Sequence, residues 1–255
     1  MTFKDLTRSN TKYFVSIQMV LTTVVVGYLI YGTYSTRWLI AGLFFYFLTG
    51  CLGITVTFHR LLSHKSYTTH TTIEYLFSLL GALGGTGSAI GWVAVHRQHH
   101  LHSDQSSDPH SPKNLGLKVF FPSYEFQMNK WAIRDLITNR FQQVLHDYYF
   151  LILFLWSLII TALFGYNGFI FIFAFPIILQ IWTSVLSNYS NHKSNWGYRN
   201  FSTTEQSNNL WWVALLAWGE GWHNNHHKYP GKSSFQHNWW EFDISGLIIK
   251  IIRTN

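Results

Sequence analysis

The chain has 255 residues, 48% of them hydrophobic and only 11% charged, against about 25% charged in an ordinary soluble domain. Aromatic residues reach 18%, with 12 Trp, the net charge is +7, and there is a single Cys, Cys51. These figures exclude an internal disulfide and argue against a soluble domain; they describe a membrane protein, in which Trp and Tyr gather at the lipid–water boundary.

The start, "MTFKDLTRSNTK", is polar, and the long apolar stretch after it lacks the small-residue cleavage pattern of a signal peptide. A bilayer core takes about 20 apolar residues per helix. The charge-free stretch 13–36 therefore predicts one span at about 14–31, and 38–58 predicts a second, joined to the first by a turn around "YGTYSTR". Residues 148–191 run 44 positions without a formal charge and predict two further spans, about 148–164 and 168–188, broken at "GYNG" (165–168). The stretch 75–95 is long enough to cross, but it holds five glycines in 21 residues, and glycine weakens a helix that its neighbours do not support.

Charge decides how that stretch is read. If 75–95 is interfacial or re-entrant, the chain has four spans, and 17 of its 18 Lys and Arg share one side, with only Arg37 opposite. If it crosses, the basic residues split 5 against 13 and the histidine-rich segments fall on opposite faces. The positive-inside rule favours the first arrangement. The expected fold is an all-α integral membrane protein: one domain, four transmembrane helices, a histidine-rich cytoplasmic cap, and both termini cytoplasmic. The stretch "LWWVALLAW" (210–218) reads as an interfacial anchor and the tail "ISGLIIKIIR" as an amphipathic surface helix.

All 14 histidines lie outside the four expected spans. "HRLLSH" supplies His59 and His64, "HRQHH" supplies His96, His99 and His100, and "HNNHH" supplies His223, His226 and His227. In the last two, the i, i+3, i+4 spacing puts three imidazoles on one helical face, and each cluster adjoins an apolar element. Eight clustered imidazoles cannot all be protonated without mutual repulsion, and neutral rings need partners for their nitrogens. Metal ions meet both conditions, and eight ligands exceed what one ion takes. Imidazole suits Zn, Cu, Fe and Ni. A structural zinc site would use four ligands, usually with Cys, so a pair of irons able to activate oxygen fits better. His70, His102, His110, His146 and His237 stand singly and read as surface groups or supports.

The pattern resembles the membrane fatty acid desaturases, in particular the Δ9 acyl-CoA and acyl-lipid branch related to stearoyl-CoA desaturase. "WVAVHRQHHLHSDQSSDPHSP" (92–112) is similar to that group's second histidine box, "GEGWHNNHHKYP" (219–230) to its third, and "SNYSNHKSNWGYR" (187–199) to the segment before it. The resemblance covers about residues 38–240. It implies His192 as a ninth ligand, Asn188 as a contributor through a bound water, and two Fe ions as the cofactor. It departs at "LGLKVFFPSYEFQ" (115–127) and in a slightly longer segment after His192, both where a headgroup or electron donor would approach.

The activity the resemblance implies is O2-dependent formation of a cis double bond, at Δ9, in the acyl chain of an acyl-CoA or acyl-lipid. Unactivated C–H bonds resist acid–base attack, so the metal centre is expected to carry the chemistry and the protein to position it; no other catalytic group is expected. The chain has no haem motif, Fe–S cysteine pattern or GxGxxG fingerprint. An external donor, ferredoxin or cytochrome b5, is therefore implied, alongside membrane lipid and no nucleic acid. Asp104, Asp108, Glu220 and Asn224 or Asn225 are candidates to hold the ligand rings, with a turn role equally open for Asp108. Arg60 and Arg97 are open between carboxylate pairing, a phosphate headgroup and plain solvation. Trp92, Trp131 and Trp222 are candidates to line an acyl tunnel. Rival readings are another di-iron oxidase (hydroxylase, ketolase or decarboxylase), a membrane metal carrier, and an inactive homologue; a carrier would place histidines within its spans.

Overall fold

The computed structural model describes residues 10–121, 130–193 and 195–254. The polar start of the chain and the last part of "LGLKVFFPSYEFQ" lie outside the described residues. The described residues are helical apart from turns, loops and the isolated bridges Thr69–Arg253, Tyr198–Asn209 and Asn209–Trp222.

Helix α1 (Asn10–Tyr31) is followed by α2 (Thr36–Ser63). Both are long and apolar enough to cross a bilayer, and large apolar side chains on their outer faces, such as Val20, Ile30 and Leu43, are exposed. Such a surface suits lipid rather than water. The first half of α2 is an ordinary α-helix, but from Phe47 to Ser63 it is wound as a π-helix. Side-chain hydroxyls follow the wider turn, as Thr57 donates to Leu52 O and Ser63 to Phe58 O, each five residues back. The helix runs on past Phe58, the expected end of the second span, and so carries His59 on its last turns.

The glycine-rich stretch 75–95 is two helices. α3 (Thr71–Leu83) is 13 residues long, about 20 Å at 1.5 Å per residue, against a hydrocarbon core of about 30 Å. Gly85 and Gly87 take positive φ (81° and 105°) and turn the chain. Ser88 then starts α4 (Ala89–His102) by accepting the Gly91 N–H. α3 packs closely on α2: a Cβ on Gly53 would lie 2.3 Å from the backbone N of Gly81. Ile54, Phe58 and Leu61 of α2, Ile90 and Val93 of α4, and Ile249 near the chain's end form the main core.

After a short amphipathic helix, α5 (Arg140–Asp147), a 43-residue apolar run extends from Tyr149 to Asn191. Gly165 breaks it, with φ 63° and ψ −158°. The break falls at the "GYNG" sequence, within the range of α6 (Tyr149–Gly168), and the run continues as α7 (169–191), whose last turns carry Asn188 and end beside His192. Three small helices complete the chain: α8 (Trp211–Leu216), α9 (His223–Lys228) and α10 (Ile244–Ile252). Trp211 and Leu215 of α8 are exposed while Val213 and Ala214 are buried. The tail helix α10 docks on α2 through buried Ile249 and leaves Ile251 outside.

Candidate metal centre

The π-winding of α2 explains the five-residue spacing of "HRLLSH". On an α-helix, residues five apart are about 140° out of register. Under i→i+5 bonding they come much nearer to one face, and the His64 N–H donates to the His59 carbonyl (3.2 Å) while the two rings lie 5.0 Å apart. π-turns occur often at functional sites, and here the winding aims both rings the same way. α4 presents His96, His99 and His100 on the i, i+3, i+4 face, α9 presents His223, His226 and His227, and the end of α7 presents His192.

These nine histidines meet in two groups. His59, His64, His96, His100 and His226 bring ring nitrogens within 4.8 Å of one another, as do His99, His192, His223 and His227. Nε2 atoms face tip to tip: His59–His226 at 3.0 Å, His64–His96 at 2.8 Å, His100–His226 at 2.9 Å, His192–His223 at 3.1 Å and His223–His227 at 3.0 Å. Each such contact uses one proton and one lone pair, so His226 and His223, each at the centre of two contacts, cannot satisfy their neighbours equally. Metal–imidazole bonds of about 2.1 Å put neighbouring ligand nitrogens about 3 Å apart, which is the spacing seen. Burial, and then neighbouring histidine charge, holds His96, His99, His100, His223, His226 and His227 well below the ordinary imidazole range. Burial and then Arg97 and Arg60 hold His64 at about 4. Burial thus favours the neutral form of the rings, which carries a lone pair, and the donor set fits two imidazole-binding ions.

Carboxylates grip the far side of several rings. His59 Nδ1 lies 2.5 Å from Glu220, His99 Nδ1 2.8 Å from Asp108, His192 Nδ1 3.3 Å from Asp104 and His227 Nδ1 3.8 Å from Glu205. The contacts of hydrogen-bond length, those of Glu220, Asp108 and Asp104, favour the proton on Nδ1 and leave Nε2 turned toward the neighbouring rings. Asp108 serves both of its expected roles, since it also accepts the Asp104 and His110 N–H groups across its own turn. Burial raises Asp108 to about 6 and Glu220 to about 8, the latter against the pull of Arg60. Burial would raise Asp104 as well, but hydrogen bonds from His192, Gln206 N–H and Ser111 outweigh it and hold Asp104 well below the ordinary range. Glu205 was not signalled by the sequence: it stands in a loop with no spacing to connect it to His227.

Asn224 and Asn225 do not hold rings. Asn224 donates to Phe201 O (3.0 Å), and Asn225 to Glu241 (2.9 Å) and Phe235 O (2.9 Å), tying the third box to the loops around it. The flanking glycines have a packing reason. Gly219 sits at φ +107° with Asp243 against its Cα, and a Cβ on Gly221 would lie 2.1 Å from the Ala214 backbone N. Arg60 and Arg97 both pair with carboxylates. Arg60, fully buried, reaches Asp243 at 2.7 and 3.0 Å and stacks on Phe235. Arg97 grips Asp135 twice at 2.9 Å and donates to the Ser63 carbonyl at the end of α2.

One cavity of ≈ 340 Å³ opens onto both histidine groups, touching His59, His96, His99 and His223. Trp92 lines it, as does Trp218, the last residue of the stretch read as an interfacial anchor; Trp222 is buried with its Nε1 on Phe242 O, and Trp131 is on the surface. Asn188 also lines the cavity and donates to the His110 carbonyl (2.7 Å).

A helical protein with long apolar helices, two groups of histidines and a cavity between them is the setting for metal-dependent chemistry on an apolar chain. The fatty acid desaturase family model matches residues 36–241, and the chain belongs to that family. The chain is 34% identical over 217 residues to an sn-1 stearoyl-lipid 9-desaturase of Anabaena variabilis, covering 83% of this chain and 79% of the relative. It is 37% identical over 222 residues to an sn-2 palmitoyl-lipid 9-desaturase of Nostoc sp., covering 83% and 76%. It is 36% identical over 217 residues to a chloroplastic palmitoyl-monogalactosyldiacylglycerol delta-7 desaturase of Arabidopsis thaliana, covering 82% and 57%. The protein is an oxidoreductase of the desaturase class.

Proposed function

We propose that the chain introduces a cis double bond, at Δ9, into the saturated acyl chain of a membrane glycerolipid. The observation that carries this reading is the convergence of nine histidines, in two groups, on one cavity bounded by apolar helices. The lipid substrate and the bond position are supported by two relatives named as stearoyl-lipid and palmitoyl-lipid 9-desaturases.

Two irons, one held by His59, His64, His96, His100 and His226 and the other by His99, His192, His223 and His227 with Asn188 through a water, would supply the O2-dependent oxidising power that removes two hydrogens. The protein's part is positional. Glu220, Asp108 and Asp104 hold the Nδ1 sides of three rings, and Glu205 lies 3.8 Å from the Nδ1 of a fourth, His227. Trp92 and Trp218 line the cavity with apolar surface that excludes water from the reacting carbons. Electrons come from a separate ferredoxin or cytochrome b5, drawn to a basic face.

In this reading α1, α2, α6 and α7 are four spans, 75–95 stays on or within one leaflet, and the histidines and both termini face the cytoplasm. The Gly165 break and the shortness of α3 support it, as does the distribution of Lys and Arg. The test is the fatty acid profile of a host that lacks desaturases, carries a reductase with ferredoxin or cytochrome b5, and expresses this chain. A new cis-Δ9 acid in the lipid fraction, absent with His100→Ala, is expected. A hydroxylated acid or a terminal alkene would overturn the reaction.

A further inference from the structure

The stretch "WWEFD" (239–243) leads into α10 and faces two ways. Trp239, Trp240 and Phe242 are 86%, 54% and 60% exposed, while Glu241 and Asp243 are buried. The outer side is aromatic and the inner side carries two carboxylates.

The carboxylates reach different histidine boxes. Glu241 accepts six hydrogen bonds from neutral donors: the Tyr198 hydroxyl, the His237 and Asn238 N–H groups, and the side-chain amides of Asn200, Asn238 and Asn225. Asn225 stands between His223 and His226 on α9, so Glu241 holds the third box. Asp243 holds the first, through Arg60 at 2.7 and 3.0 Å, the neighbour of His59 in sequence. A fully buried carboxylate with so many fixed donors cannot turn without leaving several of them unmet. A shift of the segment is therefore felt at both boxes.

The outer side is apolar and unpartnered by the chain. The Trp239 and Trp240 rings lie 5.7 Å apart, and Leu247 and Ile251, four residues apart on α10, are also exposed. Exposed apolar side chains gathered in this way mark a contact surface. Depth identifies the contact. Ser245, two residues beyond Asp243, lies 2.5 Å from Thr55 Oγ1 and 3.6 Å from Cys51 Sγ on α2. α2 has 28 residues, roughly 40 Å at 1.5 Å per residue, against a hydrocarbon core of about 30 Å. Counted from Arg37, about 20 residues fill that core, which brings its other edge close to Thr55. The start of α10 thus lies at the lipid–water boundary, where Trp gathers.

We infer that Trp239, Trp240 and Phe242 seat in the lipid boundary of the bilayer, and that this seat steadies Glu241 and Asp243 against the segments that carry the third and first histidine boxes. The bilayer is then a structural partner of the metal centre. The inference rests on the reading of α2 as a span and of the histidines as metal ligands.

The test uses the full chain, purified with iron and placed in phosphatidylcholine vesicles. Half of the vesicles carry bromine near the carbonyl end of the acyl chains, which quenches Trp on contact. The emission lost on Trp239→Phe with Trp240→Phe reports these two rings among the twelve Trp. That difference is expected to fall at least about twofold in the brominated vesicles, as boundary rings should. An unquenched difference overturns the lipid seat. So does a second copy of the chain cross-linked over the patch, which would shield the rings from bromine.

The second readout is release of iron to a chelator. Trp239→Gln, Trp240→Gln and Phe242→Gln together change only exposed side chains. They are expected to speed release about tenfold, the lower end of the effect of a group that orients ligands. The Phe-for-Trp variant, which keeps an apolar seat, should hold iron like the wild type. Glu241→Gln should release iron faster while its rings stay quenched. Unchanged release from the Gln triple variant overturns the coupling. A wild type that holds no iron defeats the metal-centre reading, which is a separate result, because the quenching comparison does not involve the metal.

Discussion

The two histidine groups are built differently. The group of five draws His59 and His64 from α2, His96 and His100 from α4 and His226 from α9, and one of its rings, His59, is gripped by a carboxylate, Glu220. In the group of four, His99, His192 and His227 each face a carboxylate, Asp108, Asp104 and Glu205, all supplied by loops. The first group is positioned mainly by helix geometry, the second by polar loops that orient rings and add negative charge. Groups so unlike should differ in how firmly they hold a cation and in which mutations loosen them.

The largest effects should come from the rings at the centre of each group. His226→Ala and His223→Ala are each expected to lower product formation by at least about 100-fold. Metal analysis of purified protein should find that each loses one ion in preference to the other; loss of both ions in both variants would break the distinction. Next is Arg60→Ala. Removing one partner of a buried pair costs about 3–5 kcal/mol, and Arg60 also stands 3.6 Å from Glu220. Thermal unfolding should register the loss, and the group of five should weaken before the group of four. Asp104→Asn and Glu220→Gln sharpen the contrast further. Each should cost about 10- to 100-fold in metal affinity or activity, with the first acting on the His99 group and the second on the His59 group.

The smallest effect is one of pH on the metal-free protein. His64 falls from 6.5 to about 4 on folding. Between those values the folded chain binds fewer protons than the unfolded chain, so stability declines as pH falls from about 6.5 toward 4. Asp135 behaves as a paired carboxylate. Burial would raise it, but hydrogen bonds from Arg97 and Lys65 and their charges lower it from 3.8 to about 2. Its contribution is present above pH ~4 and is lost as pH falls toward 2. Asp135→Asn should flatten the lower window of a thermal midpoint profile and leave the upper one alone.

The apolar runs, the Gly165 break and eight of the clustered histidines were legible in the sequence because each depends on local pattern: length, charge and an i, i+3, i+4 spacing. His192 entered only by resemblance, since nothing local marks a single histidine at a helix end. The π-winding of α2 is not legible in the sequence, because the five-residue spacing of His59 and His64 has meaning only once the turn widens. Glu205 was missed for a different reason. It stands 22 positions from His227 and meets it only by tertiary packing. Asn224 and Asn225, candidates to hold rings, bind loops instead.

The Arg60–Asp243 pair has a consequence for how the protein is made. The two residues are 183 positions apart, which at about 5–20 residues per second separates their synthesis by roughly 10 to 40 s. During that interval α2 carries a guanidinium that the finished fold buries completely, with its main counter-charge not yet emerged. The guanidinium beside His59 gains its main counter-charge only when Asp243, the cap of α10, is in place. Assembly of the centre is thus coupled to the synthesis of the segment that carries Asp243, and until that segment is made the buried guanidinium of α2 lacks its main partner.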